Sequence, residues 1–385
     1  MEWKEVRLGD VCNIITGFPF PGKKYSKEGV RVVRGDNVTI GNLRWDTEKD
    51  KRWNEPFDKT EYYSLQANDI VIGMDGSRVG KNKARIKEED LPLLLAQRVA
   101  CVRHNELAEQ DYLYYNIFSK KFIDYVNSIH TGSAIPHISQ KQIEDYKILL
   151  PNLETQRRIA SILLSLDRKI ELNNKINADL EEMAQAIFKN WFVDFEPFKD
   201  GKFVDSELGM IPEGWKVGCL GEIAEITSGK RPPKKSRDKT KDLFIPLIGA
   251  SEIMGFTSDV LYERPILVIG RVGTHGVVQR FQEKCWPSDN TLVIESSYYN
   301  YVYQLLKGID YSAINRGSTQ PLITQTDVKN TDIIIAPENV LKEYESITST
   351  LFRKHRANIK ENSRLSALRD TLLPRLMSGE LEVPE

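Results

Sequence analysis

The sequence predicts an α+β protein in which two globular units of mixed strands and helices alternate with two long helices. Two long stretches contain neither glycine nor proline, and a series of landmarks in the first half of the chain returns in the second half. These observations predict globular units at residues 1–150 and 199–336 and helical segments at 151–198 and 337–385. If the helices pack antiparallel, the globular units become related by a pseudo-twofold axis.

The first long helix is predicted from Asn152 to Glu196. Asn152 can cap its start, and Pro197 and Gly201 follow its end. At 1.5 Å per residue, about 40 residues extend roughly 60 Å, so the segment is predicted to be a spacer. Its apolar residues recur three or four positions apart, as in one face of a helix: Ile159, Ile162, Leu163, Leu166, Ile170, Ile176, Leu180, Met183, Ile187 and Trp191.

The second long helix is predicted from Glu338 to Leu373, and it can bury its apolar stripe against the first in an antiparallel coiled coil. Polar residues interrupt the middle of both stripes, and they either fix the register from a buried position or are simply solvated. The stripe of the second helix contains Ile347, Leu351, Leu365, Leu368, Leu372 and Leu376. The residues expected to carry helix pairing or partner binding are Leu166, Asn173, Asn177, Leu180, Asn358, Asn362, Leu365 and Leu372.

The chain is internally duplicated. The segment from Trp3 to Gly17 matches the segment from Trp215 to Gly229 in eight residue types, at a constant offset of 212 positions. Between the landmarks, residues 18–68 and 230–264 differ in length and content, as expected for two recognition modules with different targets. Two further pairs of segments match: Ile72–Gly80 with Ile269–Gly276, and Gly132–Gln140 with Gly317–Gln325.

Short β-branched runs and brief helical stretches alternate within both units, which predicts mixed α+β domains. The predicted strands are Val30–Val33, Ile70–Ile72, Val99–Val102, Tyr146–Leu150, Phe244–Ile248, Ile266–Ile269, Thr291–Ile294 and Asp332–Ala336. The predicted helical stretches are Gln110–Ile129 and Tyr298–Lys307.

Composition narrows the function classes. The chain has 385 residues and a net charge of −1, so DNA binding would have to use local patches. No apolar run is long enough to cross a membrane and no signal peptide pattern opens the chain, which predicts a soluble cytoplasmic protein. The four cysteines and five histidines lack metal-ligand spacing, and no nucleotide-binding or methyltransferase motif is found.

One segment is strongly basic. Prolines at positions 232 and 233 prevent it from being helical. It is either a solvated loop or a phosphate-binding surface. Its cations are Lys230, Arg231, Lys234, Lys235, Arg237, Lys239 and Lys241.

The chain resembles the specificity subunit of type I restriction-modification systems over nearly its whole length. The order and duplication of several motifs carry the resemblance. The first unit departs from it by lacking the Ile-Pro-x-Gly lead that precedes Trp215. The motifs are Ile211–Trp215 with Leu220-Gly221, Leu150–Ala160, Ile187–Phe195, Leu372–Leu381, and the Gly-Ser segments at 132–138 and 317–323.

The resemblance implies two target recognition domains that each read half of a bipartite DNA site, without catalysis by this chain. It also implies that the helices dock two methyltransferase subunits, through which restriction subunits join. No cofactor is expected on this chain, because S-adenosylmethionine, ATP and Mg²⁺ are expected on the partner subunits. The candidate DNA contacts are side chains able to reach bases or phosphates: Arg34, Asn37, Ser77, Arg78, Lys81, Lys83, Ser133, Lys230, Arg231, Lys234, Lys235, Arg271, Thr274, His275, Arg316, Ser318 and Gln320.

Two other classes of function also fit the sequence. A coiled-coil adapter that binds proteins without direct DNA readout fits the near-neutral charge. A nuclease with a diffuse carboxylate site would show no local motif. The recognised bases and the gap between them are not encoded in any readable pattern.

Overall fold

The computed structural model describes residues 3–56, 58–130, 136–272, 276–314, 316 and 322–383. The chain divides into two compact units, the first comprising Met1–Leu172 and Glu361–Glu385 and the second Asn173–Lys360. Each unit therefore contains a globular part and one half of each long helix. The repeated Gly-Ser segments and part of the second glycine-rich loop, at 131–135, 273–275 and 317–321, lie outside the described residues.

The described residues of the first unit form ten strands and the start of the first long helix. The strands are β1 (Lys4–Arg7), β2 (Cys12–Thr16), β3 (Val30–Val33), β4 (Ile40–Gly41), β5 (Arg52–Trp53), β6 (Ile70–Gly73), β7 (Lys83–Arg85), β8 (Leu93–Leu95), β9 (Val99–His104) and β10 (Lys147–Leu150). The helices are α1 (Leu8–Val11), α2 (Thr60–Tyr63), α3 (Gln110–Phe118), α4 (Lys120–Ile129), α5 (Gln140–Glu144) and the long α6 (Leu153–Phe192).

The second unit repeats this plan with fewer helices among the residues described. Its strands are β11 (Phe203–Val204), β12 (Ile211–Pro212), β13 (Lys216–Cys219), β14 (Glu225–Ser228), β15 (Ile245–Ile248), β16 (Ile253–Thr257), β17 (Ile266–Gly270), β18 (Gln279–Phe281), β19 (Trp286–Pro287), β20 (Thr291–Glu295) and β21 (Asp332–Ile335). Its helices are α7 (Tyr299–Gly308), α8 (Gln325–Lys329) and the long α9 (Glu338–Met377).

The sheets of the two units share one strand order, except that the larger sheet of the first unit has an additional edge strand, β4, among the described residues. The larger sheet has the strand order β2-β9-β6-β7-β4 in the first unit and β14-β20-β17-β18 in the second. In the smaller sheet, a central strand pairs antiparallel with one neighbour and parallel with the other, in the orders β5-β3-β8 and β16-β15-β19. A two-stranded antiparallel sheet, β1-β10 or β13-β21, precedes each long helix. The duplication read from the sequence is therefore a duplication of the fold.

Each predicted strand is present, with ends within two residues of the prediction. The predicted helical stretch Gln110–Ile129 is instead two helices, α3 and α4. Ser119 separates them, because it is extended (φ −68°, ψ 158°) and its Oγ accepts a hydrogen bond from the backbone N–H of Phe122 at 3.2 Å. This serine caps the second helix and so ends the first.

The first long helix begins as predicted but ends early. The side-chain oxygen of Asn152 accepts a hydrogen bond from the backbone N–H of Thr155 at 2.8 Å, which caps α6. The helix stops at Phe192 rather than at Glu196, because Phe195 takes a left-handed conformation with φ 55°. The chain then continues into the short 3₁₀ turn Glu196–Phe198.

The second long helix continues past its predicted end. Pro374 lies inside α9, which runs to Met377. Proline removes one backbone hydrogen bond there. However, Leu376 and Met377 pack into an apolar cluster with Ile159 and Leu163, which offsets that loss.

One series of buried and half-buried positions along each long helix recurs in alternating steps of four and three, the heptad pattern of a coiled coil. The predicted stripes are mostly right, but Met183, Ile347 and Leu368 are exposed because they lie off this seam. The seam positions are Ile159, Leu163, Leu166, Ile170, Asn173, Asn177, Leu180, Ala184, Ile187 and Trp191 of α6, and Tyr344, Thr348, Leu351, His355, Asn358, Asn362, Leu365, Arg369, Leu372 and Leu376 of α9.

The helices run antiparallel within each unit. In the first unit, Arg369 Nη1 lies 2.7 Å from Asp167 Oδ1. In the second unit, the amide nitrogen of Asn358 donates to the amide oxygen of Asn177 at 2.9 Å. Among the described helices, none is long and apolar enough to span a membrane.

Candidate nucleic-acid interface

A concave groove of about 800 Å³ opens on the surface of the first unit. Four segments of the chain form it: the loop between β2 and β3, the loop after β3, the glycine-rich loop after β6, and the turn between β8 and β9. Four arginine side chains line this groove, which we call the arginine groove, together with aromatic and amide groups. The polar and aromatic residues of the lining include Tyr25, Arg34, Asp36, Arg44, Asp75, Ser77, Arg78, Gln97 and Arg98.

Arg34 is held in place at one side of the groove. Its guanidinium carbon lies 5.7 Å from the centre of the Tyr25 ring, and its Nη2 lies 3.8 Å from the carboxylate of Asp36. Arg44 lies nearby, with its Nη2 3.4 Å from the backbone carbonyl of Asp36. Both guanidiniums are thus partly oriented before any ligand binds, which favours planar, bidentate contacts.

Asp75 organises the other side of the arginine groove. Its Oδ2 accepts a hydrogen bond from Arg98 Nη1 at 2.8 Å, while its Oδ1 contacts Nδ1 of His137. Arg98 has a left-handed backbone with φ 65°, which is uncommon for a residue other than glycine. The ion pair and this turn leave the Arg98 side chain 70% exposed at the groove.

The sequence-predicted residues Arg34, Ser77 and Arg78 meet in this groove, and Lys81 lies exposed close by in the chain. These residues remain predictions as DNA contacts. Ser133 lies outside the described residues.

Asn37 does not present its side chain to a ligand. It is fully buried, its Oδ1 accepts from the backbone N–H of Arg34 at 3.0 Å, and its Nδ2 donates to the carbonyls of Arg44 and Lys49, both at 3.0 Å. Its amide therefore ties together the loop that carries Arg34 and Arg44. Asn37 therefore positions the groove, and its buried amide is not available to contact DNA.

Lys83 is also unsuited to contact DNA. Its side chain is buried, its Nζ donates to the Gly80 carbonyl at 2.9 Å, and it lies 5.0 Å from the Phe122 ring centre and 5.5 Å from that of Phe118. Burial lowers the pKa of Lys83 to about 7. The side chain of Lys83 points from β7 into the core, and the sequence pattern did not reveal this direction.

Among the groove residues that the sequence interpretation missed are two of the four arginines, Arg44 and Arg98, and the amide of Gln97. Arg44 lies in the variable segment 18–68, which carries no repeated landmark. Gln97 and Arg98 immediately precede β9. A polar pair at the entrance to a buried strand is a usable signal, but it does not show which loops lie beside it.

The basic segment of the second unit is exposed along its length. The backbone N–H of Lys230 donates to the Pro287 carbonyl at 3.0 Å, and Trp286 Nε1 donates to the Lys230 carbonyl at 2.7 Å. Ser236 is anchored by paired backbone bonds to Phe256, at 2.9 and 2.8 Å. The backbone is therefore fixed at both points. Within the described residues no ion pair engages the charged groups of Lys230, Arg231, Lys234, Lys235, Arg237, Lys239 or Lys241.

The other candidates of the second unit are only partly described. Arg271 is half-buried directly after β17 and Arg316 is exposed, with its guanidinium paired to Asp327. The backbone carbonyl of Arg271 accepts a hydrogen bond from the backbone N–H of Ile323 at 3.0 Å. This hydrogen bond joins two of the repeated loops. Thr274, His275, Ser318 and Gln320 lie outside the described residues.

Equivalent positions of the two units carry different side chains. In the first unit, the backbone N–H of Met74 donates a hydrogen bond to the carbonyl of Arg98. In the second unit, the backbone N–H of Arg271 donates to the carbonyl of Asn290. Isolated bridges pair Asp75 with His137 and Val272 with Leu322. In the second unit, Val272 and Leu322 thus replace the Asp75 and His137 pair, and the neutral Asn290 replaces Arg98.

The long helices hold polar groups in their seam. Asn173, Asn177 and Asn358 are buried, so these three are not the solvated residues that one reading of the sequence allowed. Asn362 is half-buried. The leucines predicted for helix pairing or partner binding, Leu166, Leu180, Leu365 and Leu372, are half-buried on the same seam.

Within the described ranges, no cluster of three or more histidine, cysteine, aspartate or glutamate side chains is arranged to hold a metal ion.

Comparison with known proteins gives a consistent result. The family described as "Type I restriction modification DNA specificity domain" matches residues 1–182 and 212–365. The type I restriction enzyme MjaIX specificity subunit of Methanocaldococcus jannaschii is 33% identical over 304 residues, covering 71% of this chain and 70% of that protein. The HindI specificity subunit of Haemophilus influenzae is 24% identical, across 99% and 100% of the two chains. The crystal structure of a type I S subunit from M. genitalium has the same fold, with a TM-score of 0.64 at 15% identity and coverage of 98% and 96%.

The duplicated fold and the arginine groove fit a recognition protein rather than an enzyme. The chain belongs to the type I restriction-modification DNA specificity family. It is a non-catalytic DNA-recognition subunit of a type I system.

Proposed function

We propose that this chain reads a bipartite, asymmetric site in double-stranded DNA, one half through each globular unit. In this proposal the long helices set the gap between the half-sites and dock two methyltransferase subunits, through which restriction subunits join. S-adenosylmethionine, ATP and Mg²⁺ would act on those partner subunits, and the complex would work in the cytoplasm.

The single observation that supports this function best is one scaffold that carries two different surfaces. The first unit presents guanidiniums in a groove, and the second presents an exposed run of lysines and arginines. A single guanidinium can contact a guanine edge through two hydrogen bonds, whereas exposed lysines mainly neutralise phosphates. Two copies of a fold with different surface chemistry are suited to two different half-sites.

A net charge of −1 is low for a DNA-binding protein. In the proposed complex, the local cations of the groove and of the basic segment supply the charge that contacts phosphates. A protein-binding adapter without DNA readout would not need a groove in which arginines are held by aromatic and carboxylate neighbours.

The function is tested by combining the purified chain with its methyltransferase subunit and a duplex library of random sequence. Modified bases are then mapped by sequencing. We expect methylation at two short specified sequences separated by a fixed unspecified gap. Methylation at a continuous site, or methylation by the methyltransferase alone with the same specificity, would contradict the proposal. An adapter would give complex formation without a steep salt dependence of DNA binding.

A further inference from the structure

A second group of arginines lies in the second unit, where β18, α7 and α9 meet. They line a cavity of about 310 Å³ that we call the arginine pocket. The groups important for its chemistry are Arg280, Asn300, Glu345, Ser349, Arg353 and Arg356.

Arg280 forms the floor of the pocket. Its guanidinium carbon lies 3.5 Å from the ring centre of Phe352, 4.5 Å from that of Tyr303 and 4.8 Å from that of Tyr299. Its Nη2 donates to Oδ1 of Asn300 at 2.6 Å. Its Nη1 is buried and has no hydrogen-bond partner among the described residues. A buried charged donor left without an acceptor is costly, so this nitrogen is suited to receive one from a ligand.

The equivalent arginine of the first unit is neutralised by its own chain. Arg85 in β7 pairs with Ile70 of β6, as Arg280 in β18 pairs with Leu267 of β17. Arg85 lies 5.2 Å from the Tyr114 ring centre and forms an ion pair with Asp111. The corresponding partner in the second unit is the neutral amide of Asn300. One scaffold position thus holds an arginine that is directly ion-paired in the first unit and hydrogen-bonded to a neutral amide in the second.

The one carboxylate that lines the pocket is engaged elsewhere. Glu345 Oε1 accepts hydrogen bonds from the backbone N–H groups of Asn300 and Tyr301, both at 2.8 Å. Burial raises the pKa of Glu345 to about 7, so part of its charge is lost near neutral pH. Arg353 and Arg356 lie exposed at the rim. Glu181, which does not line the pocket, also attracts Arg280, but its carboxylate lies 3.5 Å from Lys307 Nζ. Among the residues that line the pocket, three guanidiniums therefore face one carboxylate, which leaves roughly two positive charges to be matched by a ligand.

Hydroxyl and amide groups complete the lining. Asn300 Nδ2 donates to Ser349 Oγ at 3.1 Å, which leaves the Ser349 hydroxyl proton available for another acceptor. The pocket is also separate from the candidate DNA contacts. Pro265, which lines it, comes directly before β17, whereas Arg271 comes directly after that strand.

We propose that the arginine pocket binds a phosphate dianion, either inorganic phosphate or the phosphate group of a mononucleotide. A dianion matches the excess charge better than a carboxylate, and phosphate oxygens can accept from Arg280 Nη1, from the Ser349 hydroxyl and from the rim arginines together. The cavity exceeds the size of a phosphate group, so an attached sugar can also enter. This site is independent of DNA reading.

The test is isothermal titration calorimetry of the full chain with inorganic phosphate, adenosine monophosphate and adenosine, at constant ionic strength set with chloride. Because Arg280 packs in the core, the informative variant is the rim double substitution Arg353→Gln with Arg356→Gln. The matched control removes two exposed cations of the same unit that lie outside the basic segment, Lys199→Gln with Lys202→Gln. Circular dichroism and thermal unfolding confirm that both variants fold.

We expect saturable phosphate binding at one site per chain, weakened at least tenfold by the rim substitutions and changed less than twofold by the control. Tighter binding of adenosine monophosphate than of phosphate identifies a nucleotide, and equal or weaker binding identifies free phosphate; adenosine alone should not bind. No saturable phosphate binding, or equal affinity in both variants, would overturn the proposal. Competition between phosphate and duplex DNA would also overturn it, by assigning the anion to the DNA interface.

Discussion

The two globular units share a fold but present their cations differently. In the first unit, the arginines lie in a groove, and aromatic rings or carboxylates hold two of them. In the second unit, the basic segment is anchored through its backbone while its charged groups extend into solvent. Oriented guanidiniums favour direct readout of base edges, whereas exposed lysines favour attraction to phosphates. The scaffold and the recognition surface are therefore set by separate parts of the sequence.

The largest expected effect concerns what the units share. A Cβ at Gly17 would collide with the Ala96 carbonyl oxygen, and one at Gly229 with the Ser288 carbonyl oxygen. We therefore expect Gly17→Ala and Gly229→Ala each to lower the free energy of unfolding by about 3 kcal/mol. Urea denaturation measures this. Gly22→Ala, which has open space around it, is the control, and a large loss in only one unit would contradict an equivalent scaffold.

The next effect separates core from surface within the first unit. Replacing Lys83 by methionine should raise the free energy of unfolding at pH 7 by about 2 kcal/mol, because a charged group leaves the core. The pKa of Lys83 is about 7 in the folded chain and 10.5 as the ordinary value, so the unfolded chain binds the proton of this ammonium group more tightly. The free energy of unfolding of the wild-type chain should therefore rise between pH 7 and about 10.5. That rise should vanish in Lys83→Met.

The matched variant is Lys81→Met, in which the lysine is exposed. It should leave stability unchanged and weaken DNA binding by the assembled complex, whereas Lys83→Met should leave DNA affinity unchanged. Weaker DNA binding by Lys83→Met, with its fold intact, would restore Lys83 as a DNA contact.

A smaller effect should distinguish the two surfaces. Arg78→Gln in the arginine groove is expected to lose about tenfold in discrimination at one half-site, or about 1.4 kcal/mol, while the other half-site keeps its specificity. Methylation of a duplex library by the assembled complex measures both at once. Equal loss at both half-sites would show that Arg78 contributes only general attraction.

The smallest effect is expected in the basic segment. Lys234→Gln with Lys235→Gln should weaken binding to all sequences alike and reduce the slope of log affinity against log salt by about 2. Fluorescence anisotropy with the assembled complex at several salt concentrations measures that slope. A change of sequence preference instead would assign these lysines to base readout.

The sequence predicted the shared framework well because hydrophobic periodicity and strand composition are local signals. The start of α6 at Leu153 and the repeated strand order followed from such signals. The direction in which a polar side chain points could not be predicted from the residues next to it in the sequence. Asn37 and Lys83 belong to polar types that usually lie on surfaces, yet their strand and loop neighbours bury them.

The arginine groove was only half predicted for a similar reason. Arg34, Arg78 and Arg98 come from loops far apart in the chain, and their proximity depends on the pairing of β3 with β8 and of β6 with β9. The continuation of α9 past Pro374 likewise depends on packing around Leu376 rather than on local propensity. Tertiary contacts overrode the local rule in both places.

The most direct test of the proposed function lengthens both long helices. Inserting seven residues into each of α6 and α9 keeps the heptad pattern and adds about 10 Å, or about three base pairs of DNA. Methylation mapping with the assembled complex should then show the same two half-sites with a gap longer by about three base pairs. If the inserted chain assembles and methylates with the original gap, the helices do not set the spacing.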